Sequence, residues 1–180
     1  MSIANRYNLR TMQLSRRDCM LAALCWAEVL PAQPEWKWFD PATAAEIGAI
    51  AGQIVPDDET PGAERVGVVY FIDRALAGFD QDRRSLYREG LQDAQARRAQ
   101  LFPASASIHE LRPEQIVELL KSIETTEFFQ QVRTHAALGW LGHPMHGGNR
   151  GMAGWKAIGI QHAMQYQPPF GFYDSQPGKR

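Results

Sequence analysis

Cysteine is scarce in this chain of 180 residues: Cys19 and Cys25 are the only two, and both lie close to the N-terminus. If that part is removed, no thiol remains for a disulfide, a thiolate metal site or a cysteine nucleophile. Net charge is almost absent as well, at −1 with the histidines neutral. A chain with no overall positive charge has no general attraction for nucleic acid, and we predict no nucleic-acid partner.

Motifs for nucleotides and nucleophiles are also missing. Gly148, Gly151 and Gly154 have part of the spacing of a dinucleotide fingerprint, but no predicted strand precedes them and no alternation of strands and helices surrounds them. The sequence contains no phosphate-binding P-loop, no nucleophile elbow and no haem-attachment motif. We therefore predict that this chain has no catalytic residue and no cofactor-binding residue.

Histidines are few, and four of the five lie from residue 135 onwards, at His135, His143, His146 and His162. A zinc site needs three or four converging ligands, commonly with carboxylate or thiolate help. The scattered positions favour hydrogen-bonding histidines in loops, and we predict no metal. The alternative is a small metal-binding protein or enzyme that uses His135, His143 and His146.

What the sequence does contain is helical periodicity. Asp40 and Pro41 supply an N-cap and a first turn, and an apolar face with helical spacing then runs to Ile54. Four more segments keep this period, at 66–79, 80–102, 111–124 and 125–141. Their predicted inward-facing residues are Val66, Val69, Tyr70, Asp73, Leu76, Tyr87, Leu91, Ala94, Leu101, Ile116, Leu119, Leu120, Ile123, Phe129, Val132, Ala136 and Trp140. We predict an all-α fold of about five helices.

Several residues mark the ends of these helices. Asp80 and Asp82 are predicted caps of the third helix, Pro113 opens the fourth, and Thr126 caps the fifth. The stretch from Gly142 to Arg180 is loop-like and rich in glycine, proline and aromatic residues. Loops longer than about 12–15 residues are uncommon unless they are functional or held by another surface. We predict that residues 142–180 form an arm that packs on a partner.

The first 32 residues have the outline of an export signal. Arg16 and Arg17 precede a short apolar run, and Pro31-Ala32 follows it. The run is shorter than the ~20 apolar residues that span a bilayer, and the paired arginines are typical of the twin-arginine type, cleaved or retained. This predicts a location in the periplasm or at the periplasmic face of the inner membrane. The alternative is a retained amphipathic helix and a cytoplasmic protein.

Two ordered blocks, spanning roughly residues 38 to 160, resemble the gluconate 2-dehydrogenase subunit 3 family. The first contains Ile54-Val55-Pro56, Pro61-Gly62-Ala63 and Phe71-Ile72-Asp73. The second contains His143-Pro144, Gly147-Gly148-Asn149, Gly154-Trp155 and Ile158-Gly159. The resemblance implies that residues 38–180 form a single helical, cofactor-free small subunit.

The resemblance also implies which partner subunits and which reaction such a small subunit serves. Its partner would be a large FAD-binding catalytic subunit of the glucose–methanol–choline type, with a c-type cytochrome as a further subunit in some complexes. The large subunit would oxidise a sugar, a sugar acid or a polyol, and the small one would help it to mature or to leave the cell. Membrane association would occur only through the complex. A chaperone that leaves its client after export is a third alternative.

The glycine-rich stretch would then contact the flavoprotein, because glycine lets a backbone approach closely and tryptophan is a frequent anchor of interfaces. The competing interpretation is that Trp155 and Ile158 fold back onto the helices of this chain. The predicted partner-binding residues are Trp140, His143, Pro144, Gly147, Gly148, Asn149, Gly154, Trp155, Pro169, Phe170, Phe172 and Tyr173.

Overall fold

Six α-helices and no strand make up residues 35–160, the part of the chain that the computed structural model describes. We number them α1 (Pro41–Ile54), α2 (Val68–Ala77), α3 (Arg84–Leu101), α4 (Pro113–Ile123), α5 (Glu127–Leu141) and α6 (Ala153–Ala157). The all-α prediction is therefore confirmed. Some predicted residues lie outside the described range: Arg16, Arg17, His162, Pro169, Phe170, Phe172 and Tyr173.

The helix starts follow the local sequence in three of five predicted cases. Asp40 accepts hydrogen bonds from the backbone N–H groups of Ala42 and Thr43 at the start of α1. Thr126 accepts one from Phe129 at the start of α5, and Pro113 is the first residue of α4. These caps satisfy N–H groups that have no partner within their helix.

The prediction that Asp80 and Asp82 cap the third helix is wrong. A 3₁₀ turn, Gln81–Arg83, precedes α3, and neither aspartate makes a capping hydrogen bond. Asp80 instead turns towards the buried side of α5, where it meets a histidine (described below). Its carboxylate therefore bonds a side chain that is distant in sequence instead of the N–H groups at the start of α3.

The core lies where α5 packs against α1, α2 and α3, with α4 closing it against α1 and α3. Completely buried aliphatic side chains from four helices meet there: Ile47, Ile50, Ile72, Leu76, Leu119, Ile123 and Val132. Burying each such side chain contributes about 1.5–3 kcal/mol relative to leaving it exposed. Within residues 35–160, none of the helices has both the length and the apolar character needed to cross a membrane.

The predicted inward face is right for all of α4 and for most residues of the other helices, among them Tyr87, Leu91, Ala94, Val132 and Ala136. In α2 the buried residues include Phe71, Ile72 and Ala75, whereas Val69 and Tyr70 are only half-buried. The reason is that α1 and α5 both contact α2, so residues on more than one side of this helix are buried. Leu101, the last residue of α3, is 40% exposed. In α5, Phe128, His135 and Gly139 are buried, and Phe129 and Trp140 are half-buried.

The segment before α1 is fixed by a carboxylate of α2. Asp73, only 1% exposed, accepts hydrogen bonds from the backbone N–H groups of Lys37, Trp38 and Phe39 at 2.7–2.9 Å. Three backbone donors compensate the burial of the negative charge. The sequence places Asp73 on the inward face, and this contact explains why a charged residue belongs there.

Tyr70 links the same segment to Arg150, which lies after α5. Its ring stacks on Trp36 with centroids 4.6 Å apart, and the guanidinium of Arg150 lies 4.1 Å from the Tyr70 centroid. Two groups this close to one ring occupy its opposite faces. The backbone N–H of Arg150 also donates to the carbonyl of Val66, at 3.1 Å.

Candidate functional site

The glycine-rich stretch after α5 folds back onto the end of that helix. Gly142 ends α5, two 3₁₀ turns follow at Pro144–His146 and Arg150–Met152, and the short α6 completes the return. The predicted loop over residues 142–160 therefore contains a helix that its composition does not indicate. A five-residue helix leaves almost no periodic signal in a sequence.

Asn149 holds this stretch together. Its side chain is completely buried; its amide nitrogen donates to the carbonyl of Gly142, and its amide oxygen accepts from the backbone N–H of Gly154, both at 2.9 Å. Asn149 has a φ of 46°, a left-handed conformation that asparagine tolerates better than most residues. The two hydrogen bonds join the beginning of the stretch to its end.

Gly148 and Gly154 make the close approach that their residue type predicts, but they make it within this chain. A Cβ added at Gly148 would lie less than 3.0 Å from the carbonyl oxygen of Gly139, and one at Gly154 would lie as close to that of Trp140. Both glycines are buried. They let the returning backbone lie directly on the last turns of α5.

The two tryptophans of the site are also engaged within the chain. The indole N–H of Trp140 donates to the carbonyl of Pro61 at 2.8 Å, and that of Trp155 donates to Leu141 at 2.5 Å. Trp155 also contacts His143, with ring centroids 5.6 Å apart. Trp155 thus folds back onto α5, as the competing interpretation holds, while Ile158 is 52% exposed.

Most of the exposed large hydrophobic residues in the described part of the chain belong to this region. Eight large hydrophobic residues are exposed within residues 35–160, and six of them belong to the end of α5 and the stretch that returns to it. We call these six the apolar face: Leu138, Leu141, Met145, Met152, Ile158 and Ile160. The sequence does hold a signal for it, since Leu138 and Leu141 lie outside the helical spacing of Val132 and Ala136.

The segment that bears the apolar face carries charge of one sign only. From Phe128 to Ile160 the sequence has no aspartate or glutamate, and its formally charged residues are Arg133, Arg150 and Lys156. Arg74 of α2 adds a further cation, since its guanidinium donates to the carbonyl of Met145 at 3.2 Å. The arrangement is an apolar surface with basic residues beside it.

The predicted partner-binding residues thus divide into two groups. Gly148, Asn149 and Gly154 are buried and shape the site from inside, while His143 is exposed and Pro144 half-buried. Gly147 has a φ of 106°, and a Cβ there would crowd Tyr70 and Arg74. Contact of these residues with a partner stays a prediction.

A buried polar chain crosses the core between α3 and α5. The hydroxyl of Tyr87 lies 2.8 Å from Nδ1 of His135, and Nε2 of His135 lies 2.8 Å from a carboxylate oxygen of Asp80. Burial, with the negative charge of Asp80 as a second cause, raises the pKa of Tyr87 well above its ordinary value. The phenol therefore stays protonated and can donate to His135.

Two of the three histidines proposed as metal ligands, His135 and His143, have other side-chain contacts. Both ring nitrogens of His135 are engaged inside the core, so the expectation of a loop histidine is wrong there. His143 accepts a hydrogen bond from the backbone N–H of Met145, at 3.2 Å. Among the residues from 35 to 160, no group of three or more histidine, cysteine or acidic side chains is arranged to hold a metal ion.

Comparison with known proteins gives one match. A family model described as gluconate 2-dehydrogenase subunit 3 matches residues 41–161, about two thirds of the chain. The matched range includes α1 to α6 and the whole apolar face. No match to the chain was found among curated proteins or among solved structures.

Proposed function

The chain belongs to the gluconate 2-dehydrogenase subunit 3 family, and we propose from this that it is the non-catalytic small subunit of an FAD-dependent dehydrogenase complex. The catalytic subunit would be a large flavoprotein of the glucose–methanol–choline type that oxidises a sugar, a sugar acid or a polyol. In this proposal a c-type cytochrome is a further subunit that accepts electrons. The family match is the observation that carries the proposal.

The flavin belongs to the large subunit in this proposal, because FAD does not fit the residues described here. A dinucleotide is bound by a glycine-rich turn between a strand and a helix, and residues 35–160 contain no strand. Gly148 and Gly154 are closed against the carbonyls of α5 and leave no room for a pyrophosphate. In this proposal electrons pass from the flavin to their acceptor without a cofactor in this chain.

The proposed contribution of this chain is stability and escort. A subunit that binds only the folded form of its partner stabilises that form by mass action. Each large apolar side chain that becomes buried between the subunits contributes up to about 1.5–3 kcal/mol. With the predicted signal at Arg16 and Arg17, the folded pair would reach the periplasm together.

Purification of the tagged chain from its source cells tests the proposal. We expect one large protein to co-purify in fixed ratio, to release FAD on denaturation and to reduce an artificial acceptor when given a sugar or sugar acid. The chain alone should show neither property. A folded chain that elutes as a monomer without flavin would contradict the proposal.

Two further measurements separate the alternatives. Metal analysis of the purified protein should find no stoichiometric metal, whereas a metal-binding protein would contain it and lose it on substitution of His143 and His146. Analysis of the periplasmic fraction separates a permanent subunit from an export chaperone. A permanent subunit stays with the flavoprotein after export, and a chaperone does not.

A further inference from the structure

We infer that the apolar face is the surface on which the large flavin-containing subunit docks. The inference rests on the proposed function and assigns it to particular side chains, most of which are not among the residues predicted from the family motifs. The surface of the large subunit that meets it would be apolar at its centre, with aspartate or glutamate side chains beside it.

The first support is where exposed apolar side chains occur. Single exposed hydrophobic residues are normal on a soluble protein, but a concentration of them marks an interaction site. Outside the apolar face, the described residues expose only Phe79 and Leu101 among large hydrophobic side chains. Met145 and Ile158 of the face are 71% and 52% exposed.

The second support is that the face is built on a fixed backbone. The stretch that carries it is held by Asn149, by two glycines lying on α5, and by the indole of Trp155. A surface that is already ordered loses little conformational entropy when it binds. The buried motif residues thus position the exposed residues that make the contact.

The third support is charge. Lys156 lies between Trp155 and the exposed Ile158, and no carboxylate occurs in the segment to balance it. Complementary potentials steer two proteins together and fix their register more than they add to affinity. Carboxylates at the edge of the partner's surface would supply the opposite charge.

An apolar surface with basic residues also fits an anionic membrane, but this one fits a protein better. Lipid recognition by charge commonly uses clusters of about four to eight Lys or Arg. Arg150 is already stacked on Tyr70 and Arg74 is bonded to Met145, which leaves Arg133 and Lys156, fewer cations than such a cluster contains. Methionine and arginine are, in contrast, enriched in protein interfaces.

A matched pair of variants tests the inference. Leu141 and Leu101 are each the last residue of a helix and are 42% and 40% exposed. Glutamate costs about the same at either helix end, because the unfavourable interaction with the helix dipole is common to both. In the tagged complex, Leu141→Glu should reduce the FAD recovered per small subunit at least tenfold, and Leu101→Glu should change it less than twofold.

Further variants separate apolar from electrostatic contact. Met145→Glu should act like Leu141→Glu, and Lys156→Glu should weaken retention of the flavoprotein most strongly at low salt. Circular dichroism of each purified variant establishes that it is folded. If Leu141→Glu and Met145→Glu are folded and still retain the flavoprotein at the wild-type ratio, the inference is wrong while the proposed function stands.

Two other outcomes would also contradict the inference that the apolar face binds the flavoprotein. Retention unaffected by these variants, together with sedimentation of the wild-type chain on phosphatidylserine vesicles that Leu141→Glu abolishes, would assign the face to a membrane. A wild-type chain that recovers no flavoprotein at all would overturn the proposed function, and the inference with it.

Discussion

Asp73, buried in α2, accepts a hydrogen bond of 2.8 Å from the backbone N–H of Phe39, which lies 34 residues earlier in the chain. The same carboxylate accepts from Trp38 and Lys37. One side chain thus fixes the backbone that leads into α1. Bonds of this kind, with a charged acceptor, are about twice as strong as neutral ones.

Replacing Asp73 by asparagine should lower the free energy of unfolding by about 2–3 kcal/mol, because at least one buried N–H loses its acceptor. Urea unfolding at neutral pH measures the change. Asp82→Asn is the control, since that side chain is 77% exposed and should shift stability by less than about 0.5 kcal/mol. Equal midpoints for the two variants would show that Asp73 does not anchor the segment.

Two glycines of this chain should respond to alanine with opposite sign. Gly148→Ala places a Cβ against the backbone carbonyl of Gly139 and should destabilise the protein by about 1–3 kcal/mol. Gly52 lies inside α1 with nothing within 4 Å of an added Cβ, so Gly52→Ala should stabilise by about 0.5–1 kcal/mol. Thermal unfolding of both variants decides, and a stabilised Gly148→Ala protein would refute the close approach.

Tyr87 makes the stability depend on alkaline pH. Burial raises its pKa in the folded protein above the ordinary 10.0, so above pH 10 the unfolded chain loses the phenol proton while the folded chain keeps it. The contribution is therefore complete below pH 10 and is lost as pH rises through the folded pKa, by up to about 1.4 kcal/mol per pH unit.

The variant Tyr87→Phe should remove that dependence. At neutral pH it should cost about 1–3 kcal/mol, since Nδ1 of the buried His135 loses its donor. Above pH 10 its stability should fall less steeply than that of the wild type, because its unfolding releases one proton fewer. Parallel curves of unfolding free energy against pH would show that Tyr87 ionises as readily in the folded state as in the unfolded one.

Asp40 should make the stability of the protein depend on pH in acid. Hydrogen bonds from the Thr43 hydroxyl and backbone lower the pKa of Asp40 below its ordinary 3.8. Its stabilisation is therefore present above pH 3.8 and is lost as pH falls through the folded pKa. Asp40→Ala should cost about 1 kcal/mol at neutral pH, and the difference from wild type should shrink in acid.

Thr126→Ala provides the comparison for Asp40→Ala. It removes an N-cap that does not titrate, so its cost should stay the same at both pH values. Differential unfolding in urea at neutral and at acid pH gives both numbers. An Asp40→Ala penalty that is independent of pH would mean that the carboxylate is not the cap.

The parts of the fold that could be predicted are those decided locally. In α4 all four predicted inward residues are buried, Ile116, Leu119, Leu120 and Ile123, because this helix buries a single stripe of residues. In α2 neighbours cover more than one side, so its periodicity does not separate Val69 from Phe71. The caps at Asp40 and Thr126 depend on residues one turn away and were accessible for the same reason.

The parts that could not be predicted depend on contacts between residues that are far apart in the sequence. Glycine at 148 predicts a close approach of backbone, but the residue type does not say whether the other backbone belongs to this chain or to another. The sequence around Asp80 is typical of a helix cap, but its carboxylate contacts His135, which lies 55 residues away. The exposed leucines of α5 lie outside the predicted inward spacing of Val132 and Ala136, but that spacing does not say what would cover them.

The ring of Tyr70 joins the segment before α1 to the stretch after α5. Trp36 covers one face and Arg150 the other, and contacts of this type contribute about 0.5–2 kcal/mol. Whatever immobilises residue 150 from outside also makes residue 36 harder to detach, and tethering residue 36 reinforces residue 150 by an equal amount. Binding of a partner near residue 150 would in this way stabilise the position of residue 36, through the side chain of Tyr70 alone.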